Sequence, residues 1–390
     1  MDNKKSVLYL TSVFLPPTET FVYDSIRGVK GYRKIVLTGR RENERIFPFP
    51  EKDIIRFPYL LARDREHHRG KIKVKAYNAA RKLADPLLRP WLNKYFRTLV
   101  KENNIKVMHA HFGFNGAGFI RIKNDTDTKL VTSFHGIDTI PVLRSEPGFY
   151  DDLFREGDLM LAEGHAMKRT FTDHGYPGDK IAVHHLGIDV DKFPYKKREI
   201  SPDEKVKILF VGRFVEKKGI DRLVKAFCKA HQENRRLELT LVGNGPEMPK
   251  IKRIIEEKNL QDTAIIKGFL PHDKIHEEME KAHIFAHPSV TAPNGDTEGG
   301  TPTAILEAQA AGMPILSTFH ADIPEAVLDG KSGLLCREGD ADAIAENIKW
   351  LAQNPSRWPW MGRAGRKHVS REYSHMVQGK RLSGIYDSLL

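Results

Sequence analysis

Cysteine is scarce in this chain, two residues in 390. Cys228 and Cys336 each sit in an apolar segment and form no pair at metal-ligand spacing, which argues against a disulfide framework and structural zinc and for a reducing compartment. Long apolar runs are missing as well, and no stretch is long enough to span a bilayer. The N-terminal run from Val7 to Leu15 is broken by Thr11 and Ser12 and meets Pro16-Pro17, so it reads as a buried strand rather than a signal peptide. Acidic residues fall short of basic ones, 51 against 63, for a formal net charge of +12. No zinc-finger, helix-turn-helix or aromatic RNA-binding signature accompanies that surplus, so nucleic acid is not an expected partner.

What is present is ordinary globular material, 40% hydrophobic and 29% charged, long enough for two domains with separate cores. The basic excess is local. Between Arg63 and Lys101 the net charge is +9, and Trp91, Tyr95, Phe96 and several leucines interleave with the cations around Pro86 and Pro90. An anionic membrane surface or a pyrophosphate-linked lipid suits such a segment. A solvated basic helix packed by its apolar side fits the same residues.

Apolar strand patterns fall at 6–12, 33–38, 105–111, 129–134, 159–162 and 180–184, then at 206–211, 237–242 and 284–287. Helical patterns run between them, from about residue 19 and over 116–122, 165–174, 220–227, 302–311, 341–351 and 373–390. Such alternation implies parallel strands with helices on both faces and ligands at the strand carboxyl ends.

The most informative stretch is Pro288 to Glu325, PSVTAPNGDTEGGTPTAILEAQAAGMPILSTFHADIPE. Thr301 is a good N-cap, Pro302 suits a first helical position, and Gly312 followed by Pro314 ends the helix. The free N–H groups and positive dipole end of that helix open toward Gly299 and Gly300, where an anion can approach the main chain. Glu298 stands before the helix and Glu307 in its second turn. A nucleotide diphosphate sugar has the matching shape: sugar, two phosphates, ribose.

The order Pro288-Ser289, Glu298, Gly299-Gly300, Glu307-Ala308, Gly312-Met313-Pro314 resembles the signature of family 4 of the retaining nucleotide-sugar glycosyltransferases. In that family seven residues separate the two glutamates; here Gly299 to Leu306 are eight. The resemblance implies an α/β protein of two Rossmann-like doubly wound domains facing across a cleft, the GT-B fold. It implies an acceptor-binding domain over 1–193, a polar linker over 194–204, a nucleotide-sugar-binding domain over 205–372, and a final helix, 373–390, returning to the first domain.

Site residues follow by the same resemblance. Arg213 and Lys218, in the turn Gly212 to Gly219, match the pair that clamps the diphosphate. Gly243 opens a Gly-Asn-Gly-Pro turn, and Gly268, Phe269 and Leu270 match the segment whose backbone borders the base. Glu298, Gly299, Gly300, Thr301 and Glu307 complete the donor side. His135, followed by Gly136, matches the histidine that lines the donor sugar, and His109-Ala110-His111-Phe112 is similar to a further family stretch. Thr18 and Glu19 lie in a Pro16 to Phe21 turn, PPTETF, that resembles one facing the cleft; Leu186-Gly187-Ile188-Asp189 resembles the end of the first domain, with Leu186 in place of Asn. His135, Arg213, Lys218 and Glu298 are thus the expected catalytic residues, with Thr18, Glu19, His111 and again His135 on the acceptor side.

No cofactor and no metal are expected beyond the nucleotide-sugar donor, for which a UDP-linked sugar is the expectation. Asp125-Thr126-Asp127, Asp189-Val190-Asp191 and Asp340-Ala341-Asp342 spell a metal-binding pattern of another transferase fold, but none lies in the glutamate turn. The expected acceptor is a glycan or lipid-linked glycan of surface polysaccharide assembly, reached from the cytoplasmic side and peripherally on the membrane. A nucleotide-sugar epimerase of the same fold, or a non-catalytic sugar-nucleotide binding protein, would keep the same donor residues. A sugar phosphorylase would need a pyridoxal lysine, for which no motif is found.

Overall fold

The structure is a computed structural model that describes residues 4–16, 19–57 and 90–390. Thr18 and the basic segment as far as Arg89 lie outside the described residues. The chain divides into two units: the first takes Met1–Glu163, Lys168–Gly187 and Met376–Leu390, the second Gly164–Met167 and Ile188–His375.

In the first unit, β1 (Ser6–Phe14), β2 (Arg33–Arg41), β3 (Ile54–Arg56), β4 (Ile105–His111), β5 (Lys129–Ser133), β6 (Leu159–Ala162) and β7 (Ile181–Val183) form one sheet. Their order is β3-β2-β1-β4-β5-β6-β7, every pairing parallel. All nine residues of β1 are buried, as an unbroken apolar strand in a doubly covered parallel sheet should be. The order reverses between β1 and β4, and the crevice at such a switch point is where sheets of this kind take ligands. Helix His375–Leu389 contributes Leu382 and Tyr386 to this unit's core beside Val7, Tyr9 and Val107. Gly379 permits that packing, because a Cβ there would stand 2.0 Å from the Gly28 carbonyl carbon.

The second unit holds β8 (Val206–Val211), β9 (Leu237–Val242), β10 (Ala264–Gly268), β11 (Ile284–Ala286), β12 (Ile315–Thr318) and β13 (Gly333–Cys336) in the parallel order β10-β9-β8-β11-β12-β13. Alternate residues of β8 serve two cores. Ile208 and Phe210 pack with the helices Ile220–Glu233 and Ala341–Gln353, while Leu209 and Val211 pack with Ile305 and Leu306 of helix Thr303–Ala310. Both molecular units are therefore Rossmann-like α/β layers, as the strand alternation implies.

The division falls at Gly187–Ile188 rather than after Phe193. Ile188, Val190 and Phe193 are buried in the second unit's core, which claims them. The polar stretch 194–204 is coil but not a loose tether, since Arg198 is 1% exposed and donates to the carbonyls of Met279, Ala282 and Ala311.

The helix after the glycine pair starts one residue later than the sequence suggests. It spans Thr303–Ala310, with Pro302 as the flanking residue at an extended ψ of 126°. Thr301 does not cap it, because its hydroxyl donates to the Asp322 carbonyl at 2.9 Å. No side chain among the described residues caps this helix, so its first N–H groups remain open to an anion.

Candidate active site

Every strand of the second sheet delivers something to its carboxyl edge. β8 runs into the turn Gly212–Gly219, which carries Arg213 and Lys218. This turn is packed tightly against its neighbours: a Cβ on Gly219 would meet the Pro288 carbonyl oxygen at 2.0 Å, and one on Gly243, after β9, the Gly212 oxygen at 1.8 Å. Only glycine allows backbones to approach so closely. Gly243 and Gly219 also adopt positive φ, 142° and 64°.

Lys218 and Glu298 meet here across 80 residues of sequence. Lys218 Nζ donates to Glu298 Oε2 at 2.8 Å, and Ser289 Oγ donates to the other carboxylate oxygen at 2.7 Å. Ser289 Oγ lies 2.9 Å from Nδ1 of His287, a fully buried ring stacked on Phe210. Burial alone would raise the Glu298 carboxyl, yet the charges of Lys218 and Lys217 outweigh it and hold it at about 2. Burial also pulls the Lys218 ammonium below its ordinary value, with Glu298 pulling back. The two form an ion pair at 2.8 Å. Burial lowers His287 to about 3, leaving it neutral.

Arg213 stands apart from this network. It is exposed, and its side chain has no ion pair or hydrogen bond among the described residues. A free guanidinium, a buried ammonium and open helix N–H groups thus share one sheet edge, a combination suited to a diphosphate. Glu307, on the uncapped helix, has Oε1 3.3 Å from His272 Nε2. Gly268 ends β10 at φ 70°, Phe269 beside it is 70% exposed, and Leu270 leans on the core. Gly299 takes φ 80° and Gly300 and Thr301 follow, buried.

Several residues in this edge escape a reading of the sequence. Lys217, neighbour of the expected Lys218, is buried and donates to Asp296 Oδ1 at 3.0 Å and to the Thr297 carbonyl at 2.7 Å, tying down the loop before Glu298. His320, after β12, accepts the Glu298 backbone N–H at 3.1 Å. Glu338, after β13, lies 2.8 Å from the other His320 nitrogen and also accepts the Thr291 N–H. Ser289 and His287 flank the proline of a legible motif; nothing local marks His320 or Glu338.

The carboxyl edge of the first sheet collects histidines instead. His109 and His111, two apart on β4, point to one face, and the rings of His109, His111 and His135 stack, with centroids 4.8 Å and 5.5 Å apart. His135 Nδ1 is 2.6 Å from Glu163 Oε1, and its Nε2 is 3.3 Å from His111 Nδ1. His109 bonds Tyr386 and Ser133. Burial lowers His109 to about 3, His184 to about 4, and His111 well below its ordinary value. His111 Nε2 is buried with no hydrogen-bond partner among the described residues. His135 and His111, both expected at the site, are brought together, and Glu163 is the partner sequence reasoning missed. Glu19 precedes helix Thr20–Gly28 after β1, at the same edge.

Comparison with known proteins shows the family. Residues 191–368 match the family model for group 1 glycosyl transferases, and residues 54–192 that of Glycosyltransferase Family 4. The chain is 33% identical over 289 residues to the putative colanic acid biosynthesis glycosyltransferase WcaL of Escherichia coli, covering 73% of this chain and 70% of that one. It is 33% identical over 284 residues to the amylovoran biosynthesis glycosyltransferase AmsK of Erwinia amylovora, covering 72% and 69%. Among solved structures, Anabaena HepE in complex with UDP-glucose superposes with a TM-score of 0.74 at 17% identity, over 99% of this chain and 100% of that one. The two parallel-sheet units, the paired glutamates and these likenesses together place the chain in the family 4 glycosyltransferases of GT-B type, and it is a glycosyltransferase.

Proposed function

We propose that the protein moves a sugar, with retention of anomeric configuration and without a metal, from a nucleotide-diphosphate donor to a glycan or lipid-linked glycan acceptor of a surface polysaccharide. The observation that carries this reading is the edge of the second sheet. There the largely buried Lys218–Glu298 pair, Arg213, which has no partner among the described residues, and the uncapped helix Thr303–Ala310 converge. As the bond from the anomeric carbon to the diphosphate breaks, its electron pair stays on the phosphate oxygen. Arg213, Lys218 and the helix N–H groups stabilise that charge. The acceptor hydroxyl adds on the face the diphosphate leaves, and its proton goes to the departing phosphate.

In this reading Glu298 meets the donor sugar, Glu307 the ribose, and the backbone at Gly268 to Leu270 the base. Gly212, Gly243, Gly299, Gly300 and Thr301 line the approach of the diphosphate. His135 holds a sugar hydroxyl, with His111 behind it and Thr18 and Glu19 toward the acceptor. Both His135 ring nitrogens have partners, so it would engage a hydroxyl by releasing His111, the longer of its two contacts. Metal independence is supported by the cations at the edge, and Asp340 of one Asp-x-Asp pattern is spent capping a helix, accepting the Ala343 N–H.

The relatives of polysaccharide assembly support a polysaccharide acceptor, and a UDP-linked donor remains the expectation. A thermal-shift screen of UDP, GDP and ADP sugars tests the donor, since a ligand at a hundred times its dissociation constant adds about 2.7 kcal/mol. Stabilisation by none of them removes the reading. Transfer in EDTA, with the product's anomeric configuration read by NMR, tests the rest; inversion or a need for metal overturns that part.

The protein is proposed to work at the cytoplasmic face, peripherally on an anionic membrane. The described end of the basic segment presents Trp91, 58% exposed and stacked on Tyr95, and no helix among the described residues is long and apolar enough to cross a membrane. Binding to anionic vesicles should weaken as salt rises, and replacing Lys71, Lys73 and Lys75 by Gln should weaken it by about 1 kcal/mol per charge. Equal partitioning onto neutral and anionic vesicles would make a soluble acceptor the better reading.

A further inference from the structure

The turn that carries Glu298 is held from behind by two side chains no motif contains. His320 is 1% exposed. Its Nε2 accepts the Glu298 backbone N–H at 3.1 Å, so that nitrogen carries no proton. The ring's one proton is then on Nδ1, 2.8 Å from Glu338 Oε1. Glu338 Oε2 in turn accepts the Thr291 N–H at 2.7 Å, at the other end of the same loop. Ala321, next to His320, has φ 46°, a conformation a residue with a Cβ keeps only where its surroundings fix it. The loop is thus gripped at both ends, at Thr291 and at Glu298.

We propose that His320 and Glu338 are a positioning pair for Glu298. The Glu338 carboxylate fixes the imidazole in its Nδ1–H form, and the bare Nε2 holds the Glu298 backbone so that its carboxylate meets Lys218 and Ser289. Neither residue touches substrate; the pair acts through Glu298 alone. Eight residues separate Glu298 from Glu307, and Gly299 and Gly300 add freedom to the chain there. An anchor at the Glu298 N–H removes that freedom just ahead of them. This inference depends on the reading above in which Glu298 meets the donor sugar.

The test uses the full chain and calorimetric binding of UDP-glucose and GDP-mannose, each beside its free diphosphate. In His320→Ala, affinity for the intact sugar nucleotide should fall about tenfold, while affinity for free UDP or GDP stays at the wild-type value. A merely structural defect would weaken both together. His320→Gln can return a carbonyl oxygen toward the Glu298 N–H and should recover part of the loss.

Since His320 is buried, Glu338→Gln serves as the second variant. Its amide has one acceptor oxygen for two donors, Thr291 N–H and His320 Nδ1–H, so a loss of about threefold is expected without a change in fold. In a Glu298→Ala background neither change should cost anything further. The nitrogen-15 spectrum of the wild-type protein should show His320 protonated on Nδ1. A proton on Nε2, or the same losses recurring in the Glu298→Ala background, overturns the pair while leaving Glu298 in its role. If neither sugar nucleotide binds the wild type, or Glu298→Ala binds them unchanged, the donor reading itself fails and takes this inference with it.

Discussion

At the carboxyl edge of the first sheet rings lie on rings, His109 on His111 on His135, and one carboxylate, Glu163, closes the row. At the carboxyl edge of the second sheet the groups are charged and matched one to one, Lys218 with Glu298 and Lys217 with Asp296. The three rings and the Lys218–Glu298 pair are all largely shielded from water, so the difference comes from what burial does to each residue type. An imidazole sheds its proton when desolvated and remains a hydrogen-bonding group without charge; an ammonium and a carboxylate at 2.8 Å keep theirs by pairing. In the proposed reading the first edge handles hydroxyls and protons, and the second meets phosphate. Arg213 is exposed and has no partner among the described residues, so its charge is uncommitted there.

Removing the cations should break that contrast most severely. Arg213→Ala and Lys218→Ala should each lower transfer by roughly 3 kcal/mol of transition-state stabilisation. They should differ in stability. Lys218→Ala leaves Glu298 buried without its partner and should cost about 3–5 kcal/mol of folding energy, whereas Arg213→Ala should melt like wild type. Activity near wild type in both variants would dispose of the phosphate assignment, and equal melting temperatures would contradict the buried pair.

A finer division is expected within the second edge. Glu307→Ala should weaken free nucleotide diphosphate by about 1.5–3 kcal/mol, the worth of a charged hydrogen bond to ribose. Glu298→Ala should instead weaken the intact sugar nucleotide. Calorimetry with both ligands separates them, and comparable losses of free nucleotide in the two variants would mean that the longer turn has exchanged their roles.

In the first edge Glu163→Gln keeps the shape and removes the anion facing His135. Transfer should fall about tenfold, as expected when a charge-assisted bond becomes a neutral one, with nucleotide affinity unchanged. A loss of nucleotide affinity equal to the loss of transfer would place Glu163 in the general packing instead.

The most gradual effect is that of acid. His109 is held at about 3 and His184 at about 4, against an ordinary 6.5, with His111 lowered too. Such groups bind protons more readily unfolded than folded, so their contribution is whole above 6.5 and drains away as pH falls toward the folded values. Glu298 and Glu338, held at about 2 against 4.5, keep their contribution down to about 4.5 and lose it below. His287, at about 3, gives the second edge one imidazole of the first kind against three. Hydrogen exchange during an acid titration should therefore show β4 and β5 losing protection at higher pH than β8 and β11. The opposite order would undo the comparison.

Much of the fold was legible because it is local. The strands at 105–111, 159–162, 206–211 and 237–242 have the bounds their apolar runs suggest. Lys218 and Glu298 could be singled out because each sits in a short glycine-bearing motif at a strand end. The cap was misread at Thr301, where a hydroxyl suited to the helix had a better acceptor in Asp322. Glu163 and His320 carry no local signal. Each becomes meaningful only when its strand, β6 or β12, takes its place beside another in a parallel sheet, bringing together groups 28 and 22 residues apart.

By itself, then, the sequence determined the alternation of strands and helices, the glycines that let backbone approach backbone, and which cations and carboxylates stand at strand ends. These depend on side-chain periodicity and on φ, which are properties of short stretches of chain. Only the tertiary structure decided which of those groups are paired, which are neutral and which remain free. Arg213 and Lys218 look alike as letters five residues apart, but one is exposed and the other is locked to Glu298 in a desolvated edge. The reason is physical: charge state and hydrogen-bond partner are set by burial and by distances across strand order, and neither is fixed until the sheets have formed.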